Sequence, residues 1–218
     1  MKKNGAETLV HTLLKNNVDV CFTNPGTSEM HFVAALDKIT GIKCILGLFE
    51  GVVTGAADGY YRMTDKPACT LLHLGPGLAN GLANLHNAKK ANSGIVNIIG
   101  QHTLDHLKLE SPLTSDIEAI AKPVSHWVKT SKSSKEVSAD GAKAIEIAKT
   151  APGKISSLIL PADTAWGIGG EIVQSNKPKP RSKVNKDIII KIAKVLMSGN
   201  NSTLVLGGSA LNEKCTEL

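Results

Sequence analysis

Apolar positions recur along this chain in two alternating rhythms. In GAETLVHTLLKNN, residues 5–17, Leu9, Leu13 and Leu14 fall on one face of a helix. VDVCFT is a short β-branched and aromatic run that predicts a strand, and NPGT breaks it. SEMHFVAALDKI predicts a helix with Ser28 as its N-cap. KCILGLF, residues 43–49, predicts a buried strand, and EGVVTGAADGYYRMT a helix that tolerates three glycines. PACTLLHL predicts another strand, ended by GPG, and LANGLANLHNAKKAN a helix. GIVNIIG is almost wholly apolar, as expected of a strand covered on both faces. Past a loop come DIEAIAKP, a short strand in VSHWVKT, a Lys-rich helix near 135–150, and a strand in ISSLILPAD.

This strand–helix alternation predicts an α/β fold, a parallel sheet flanked by helices. Residues 167–185 break it with Gly, Pro, Lys and Ser, the composition of a linker. Beyond lie one predicted helix, KDIIIKIAKVLMSG, and one predicted strand, STLVLGGS. Two such elements cannot close a core. The pattern therefore predicts a domain over 1–168, a linker over 169–184, and the start of a second α/β domain over 185–218.

Composition narrows this picture. The chain has 218 residues, 42% of them hydrophobic and only 3% aromatic, so its core must rest on Ile, Val, Leu and Ala. No apolar run reaches the ~18 residues of a membrane span, and the N-terminal segment is too polar for a signal peptide. Cys21, Cys44, Cys69 and Cys215 are scattered without a CxxC, which predicts reduced thiols and a cytoplasmic protein. The formal net charge is +6. Its surplus sits on segments such as KTSKSSKE and NKPKPRSK with no aromatics between, a solvated face rather than a nucleic-acid site.

Candidate chemistry gathers at predicted strand ends, where α/β sheets bind ligands. Four ends carry distinctive residues: NPGT at 24–27, Glu50, HLGPG at 73–77 and GQHT at 100–103. If those strands are neighbours, all four converge on one crevice. GPGLANG spaces its glycines as GxGxxxG and lacks GK[ST], so a phosphate loop finds little support. His102 and His106 stand four apart and could share a helical face, but no acidic partner sits at metalloprotease spacing. Glu50 lies between an apolar run and small residues. Dry surroundings would raise its pKa and suit it to proton handling. Equally, a glutamate at a helix start can serve its free N–H groups. A lone histidine at a strand end, such as His73, is often structural.

Glu50 followed by GAADGYYR, together with NPGT and HLGPG in the same order, resembles the N-terminal, pyrimidine-binding domain of thiamine diphosphate-dependent 2-oxo acid enzymes, among them acetolactate synthase and benzoylformate decarboxylase. The resemblance covers residues 4–166. It implies that Glu50 bonds N1′ of the cofactor's aminopyrimidine, where proton exchange readies the cofactor to attack a 2-oxo acid and release CO2. It implies that Pro25 and Gly26 approach the pyrimidine, and that Gly75, Gly77 and Asn80 form the loop over the ring. Thr27 matches a serine of benzoylformate decarboxylase that contacts the substrate carboxylate, and His73 that enzyme's proton-transfer histidine. GPG in HLGPG resembles acetolactate synthase; PLTSDIEAIAKPVSHW and PADTAW resemble benzoylformate decarboxylase. Leu113 falls where acetolactate synthases carry a catalytic-site glutamine, a change suited to a hydrophobic substrate.

In that family a separate C-terminal domain, marked by GDG, holds the diphosphate and Mg2+; no GDG occurs here. The resemblance implies a homodimer or tetramer, since the site forms between two subunits. FAD, used structurally by acetolactate synthases, finds no support in these residues. Three readings follow: the front of a longer enzyme, the pyrimidine-binding subunit of a split decarboxylase, or a non-catalytic binding or regulatory protein that keeps the fold. The broken second domain favours the first.

Overall fold

A computed structural model describes residues 2–178 and 183–211. Six strands form one parallel sheet: β1 Val20–Asn24, β2 Lys43–Leu46, β3 Ala68–Leu72, β4 Ile95–Gln101, β5 Trp127–Thr130 and β6 Ile155–Pro161. Their order is β2-β1-β3-β4-β6-β5. The helices are α1 Gly5–Lys15, α2 Met30–Lys38, α3 Glu50–Thr64, α4 Leu74–Lys90, α5 Ile117–Ala121, α6 Val137–Ala148 and α7 Ala162–Trp166, with α8 Lys186–Leu196 in a separate unit. The expected parallel α/β fold is what the chain forms.

Strand periodicity sorts the core into two layers. Cys69, Leu71, Val96, Ile98, Leu158 and Leu160 pack with Leu9 and Leu13 of α1 and Ile145 of α6. The intervening Ala68, Leu72, Ile95, Ile99, Ile155 and Ile159 pack with Val53 of α3, Leu78 and Leu85 of α4, and Ile117 of α5. Inside this second layer runs a polar ladder. Thr70 Oγ1 donates to Asn97 Oδ1 (2.7 Å), Asn97 Nδ2 donates to Ser157 Oγ (3.0 Å), and Ser157 meets Ser125 (2.7 Å between hydroxyls). A buried asparagine is tolerated because both ends of its amide are satisfied.

Several elements depart from the pattern reading. Ser28 is not the N-cap: a 3-10 turn, Thr27–Glu29, precedes α2, and Glu29 stands at the α2 N-cap, where its side chain makes no capping bond to that helix. KCILGLF is not buried; β2 is an edge strand and all four of its residues are exposed. An apolar run signals burial against something, and among the described residues nothing covers β2. GPG does not end β3 as a loop, because Gly75, Pro76 and Gly77 form the first turn of α4, where a proline is well tolerated.

The first compact unit runs to Pro178, past the expected boundary at 168. Residues 167–175 are fastened along α1. Gly5 N–H donates to the Gly167 carbonyl (2.9 Å), Gly169 N–H to that of Lys3 (3.0 Å), and Asn16 bonds both Val173 and Ser175. In the second unit, α8 starts at Asn185, whose side chain accepts from Asp187 N–H (2.8 Å), and it exposes a run of isoleucines. The strand expected at 202–209 is absent among the described residues. Cys215 lies outside the described residues; Cys21 and Cys69 are buried free thiols and Cys44 is an exposed one.

Candidate functional site

The four distinctive strand ends do converge. β2, β1, β3 and β4 are consecutive neighbours, so Glu50, NPGT, His73 and GQHT share the carboxyl edge of the sheet. The helix leaving β1 packs in one layer and the helix leaving β3 in the other. A sheet with this order opens a crevice between those two strands. Gly26 and His73 meet there: a Cβ on Gly26 would lie 2.3 Å from His73 Nδ1.

Glu50 is the first residue of α3. Its Oε2 accepts from Asn80 Nδ2 on α4 (3.1 Å). Among the described residues Oε1 takes no hydrogen bond, and Gly77 lies beside it, where a Cβ would stand 3.3 Å from Oε1 and 3.4 Å from His73 Cβ. The absent side chain leaves a narrow slot flanked by the Glu50 carboxylate oxygen and the Cβ of His73. Helices α3 and α4 are drawn together above it. Asn84 Nδ2 donates to the Gly51 carbonyl (2.7 Å), and Thr54 Oγ1 lies 3.1 Å from the carbonyls of both Glu50 and Gly81. A Cβ on Gly81 would stand 2.9 Å from Thr54 Cγ2, so only glycine permits this approach.

The expected dry surroundings of Glu50 are not present in one chain. Glu50 is half-buried, and beside it Leu48 is 91% and Phe49 50% exposed. Burial of an edge carboxylate takes two walls, and a single sheet edge supplies one.

His73 caps α4 from outside, and the next residue, Leu74, is fully buried with φ of 52°. A branched residue in the left-handed region is strained, and such strain concentrates at functional positions. His73 Nδ1 lies 2.8 Å from Oε2 of Glu29, a residue the pattern reading had placed inside a helix without a role. Glu29 Oε2 also accepts from Gly26 N–H (2.7 Å). The available signal was its spacing, an acid three residues after the loop glycine, as in the reciprocal half of a capping box.

The remaining expected residues are less central. Pro25 is half-buried and Thr27 exposed, both in the turn after β1. Gly75 faces away from the slot: a Cβ there would lie 2.2 Å from Ser115 Oγ, so this glycine admits the loop after β4. Leu113 is 40% exposed on that loop. His102 and His106 share no helix; their rings lie 5.6 Å apart on the loop. Burial lowers the pKa of His102, with help from the nearby His106 and His73. No group of three or more His, Cys, Asp or Glu among the described residues could hold a metal ion. No described helix is long and apolar enough to cross a membrane.

Known proteins are similar to this chain. The chain is 48% identical over 207 residues to a Mycobacterium tuberculosis protein provisionally named acetolactate synthase large subunit IlvX, covering 95% of this chain and 40% of that one. It is 29% identical to the acetolactate synthase large subunit of Haemophilus influenzae, over 100% of this chain and 39% of that one. The crystal structure of benzoylformate decarboxylase from Polynucleobacter necessarius superposes with a TM-score of 0.81 at 26% identity, covering 91% of this chain and 37% of that one. The chain thus spans about 40% of the length of its curated relatives. Residues 3–122, which contain all four converging strand ends, match the family described as the thiamine pyrophosphate enzyme, N-terminal TPP binding domain, and the chain belongs to that family.

Proposed function

We propose that this chain is the N-terminal part of a thiamine diphosphate-dependent enzyme acting on 2-oxo acids, by decarboxylation or carboligation, and that Glu50 is its cofactor-activating acid. One observation carries the reading. Glu50 keeps one oxygen on Asn80 and turns the other toward the side-chain-less Gly77. The donor set suits a flat aminopyrimidine: a carboxylate for N1′, and backbone without a side chain beside it at Gly77. When bound, thiamine diphosphate supplies the carbon nucleophile and the electron sink.

The chain's own residues do the rest. Glu50 holds or gives a proton at N1′. Asn80 fixes the carboxylate plane. His73 exchanges protons with the substrate from the neighbouring strand end, and Thr27 offers a hydroxyl to the substrate carboxylate. Leu113 adds apolar surface, which favours a hydrophobic 2-oxo acid. The diphosphate and Mg2+ are assigned to a separate domain, and the exposed Leu48 and Phe49 to the contact that closes the crevice, supplied by a second copy of the enzyme or by a diphosphate-binding subunit.

Glu50→Gln in the assembled enzyme tests this. It keeps the shape and the bond to Asn80 but cannot exchange a proton, so kcat on 2-oxo acids falls by about 10²–10⁴-fold. Undiminished turnover would overturn the assignment.

A further inference from the structure

We infer that Glu29 is the positioning residue of this site: it grips the His73 imidazole at Nδ1 and thereby presents Nε2 to the crevice. The inference rests on the reading of His73 as a proton-transfer group.

Glu29 is 3% exposed, and the room for its carboxylate is made by backbone. A Cβ on Gly100, at the end of β4, would lie 1.5 Å from Glu29 Oε1. A Cβ on Gly26, at the end of β1, would lie 2.3 Å from His73 Nδ1. Two glycines, one in the turn after β1 and one in β4, thus clear the space for one acid–imidazole pair.

The arrangement is costly as plain structure. Among the described residues, Glu29 Oε1 is buried without a hydrogen-bond partner. Burial pushes the Glu29 carboxyl up, and the bonds from Gly26 and His73 pull it back. An unpaired buried polar atom is destabilising, and an apolar side chain would fill the same space without that cost. Retaining the acid makes sense where its second oxygen works.

Oε2 already accepts the Gly26 N–H, so it meets the ring as an acceptor. The imidazole then carries its hydrogen on Nδ1 and its lone pair on Nε2. A partner on one ring nitrogen sets the state of the other in this way. The strained Leu74 and the 3-10 turn at Thr27–Glu29 fix the two ends of the pair.

The test is 15N NMR of the histidine-labelled 218-residue chain, with the His73 signals assigned by their loss in His73→Asn. A protonated Nδ1 and a bare Nε2 are expected; the reverse tautomer overturns the inference, whatever the variants do. Glu29→Met removes the acceptor at similar volume and is expected to shift His73 toward the Nε2–H tautomer. Glu29→Gln keeps an acceptor oxygen and is expected to restore the native pattern at least in part. Unchanged His73 signals in a folded Glu29→Met protein would overturn the inference. In the assembled enzyme, Glu29→Met is expected to lower kcat by about 10²-fold, the effect of a misplaced group, with little change in KM. An assembly without any 2-oxo acid turnover would sink the functional reading while leaving the tautomer result standing.

Discussion

At the scale of single residues, the site depends on side chains that are missing as much as on those present. Gly77 keeps the slot beside Glu50 open, and Gly100 accommodates Glu29. Gly100→Ala must displace a buried carboxylate, so a loss of about 1–3 kcal/mol is expected in urea unfolding, with the His73 bond disturbed at the same time. Asn80→Ala is expected to behave oppositely. Its bond to Glu50 is exposed, and water replaces it, so stability should change by less than about 0.5 kcal/mol. In the assembled enzyme kcat should nevertheless drop, because the carboxylate plane is no longer held. Away from the site, His126 predicts an acid response. Although the residue is exposed, partial desolvation of its ring lowers its pKa, helped by Lys89 and Lys154, and its Nδ1 accepts from Ile155 N–H (3.1 Å). The folded state then binds fewer protons than the unfolded one. Stability therefore falls as pH drops through the ordinary histidine value, about 6.5. Denaturation measured across that range should show a flatter acid limb in His126→Gln.

At the scale of elements, the α3–α4 pair is the unit that builds the slot. Glu50 opens one helix, Asn80 sits on the other, and Thr54, Gly81 and Asn84 set their separation. Thr54→Val keeps the shape and deletes the hydroxyl that contacts both helices, so a loss of about 1 kcal/mol is expected in urea unfolding. Thermal stability unchanged from wild type would show that close packing alone holds the pair. The pattern of the chain gave both helices but placed the start of α4 after GPG. Helical periodicity is carried by side chains, and a Gly-Pro-Gly turn has almost none to read. Similarly, β2 read as buried because an apolar run reports the preference of a strand and not whether a partner is present.

At the scale of the whole molecule, the crevice lies at the sheet edge beside an apolar surface of Leu46, Leu48, Phe49 and Val52. Solvated apolar residues around a candidate proton-handling acid suit a site completed by association. The double variant Leu48→Glu and Val52→Glu is expected to weaken that association in sedimentation velocity while the circular dichroism spectrum stays native. Unaltered assembly would assign the contact to another face.

Much of this protein was determined by local sequence. Strand and helix periodicity fixed the α/β class. Gly, Pro and Asn punctuation placed the strand ends, and the isolated acid in LGLFEGVV singled out Glu50. These features are local: each depends on a few neighbouring residues and on backbone preferences that act within a turn or two. Tertiary structure decided the rest. The order β2-β1-β3-β4 brought four loops together, α3–α4 contact joined Asn80 to Glu50, and β1, β3 and β4 assembled Gly26, His73 and Gly100 around Glu29. Glu29 reads as an ordinary helix residue in the sequence because His73 and Gly100, which surround its carboxylate along with Gly26, lie 44 and 71 positions away along the chain. Such pairings follow from how strands associate across a sheet, a choice made by the whole core at once.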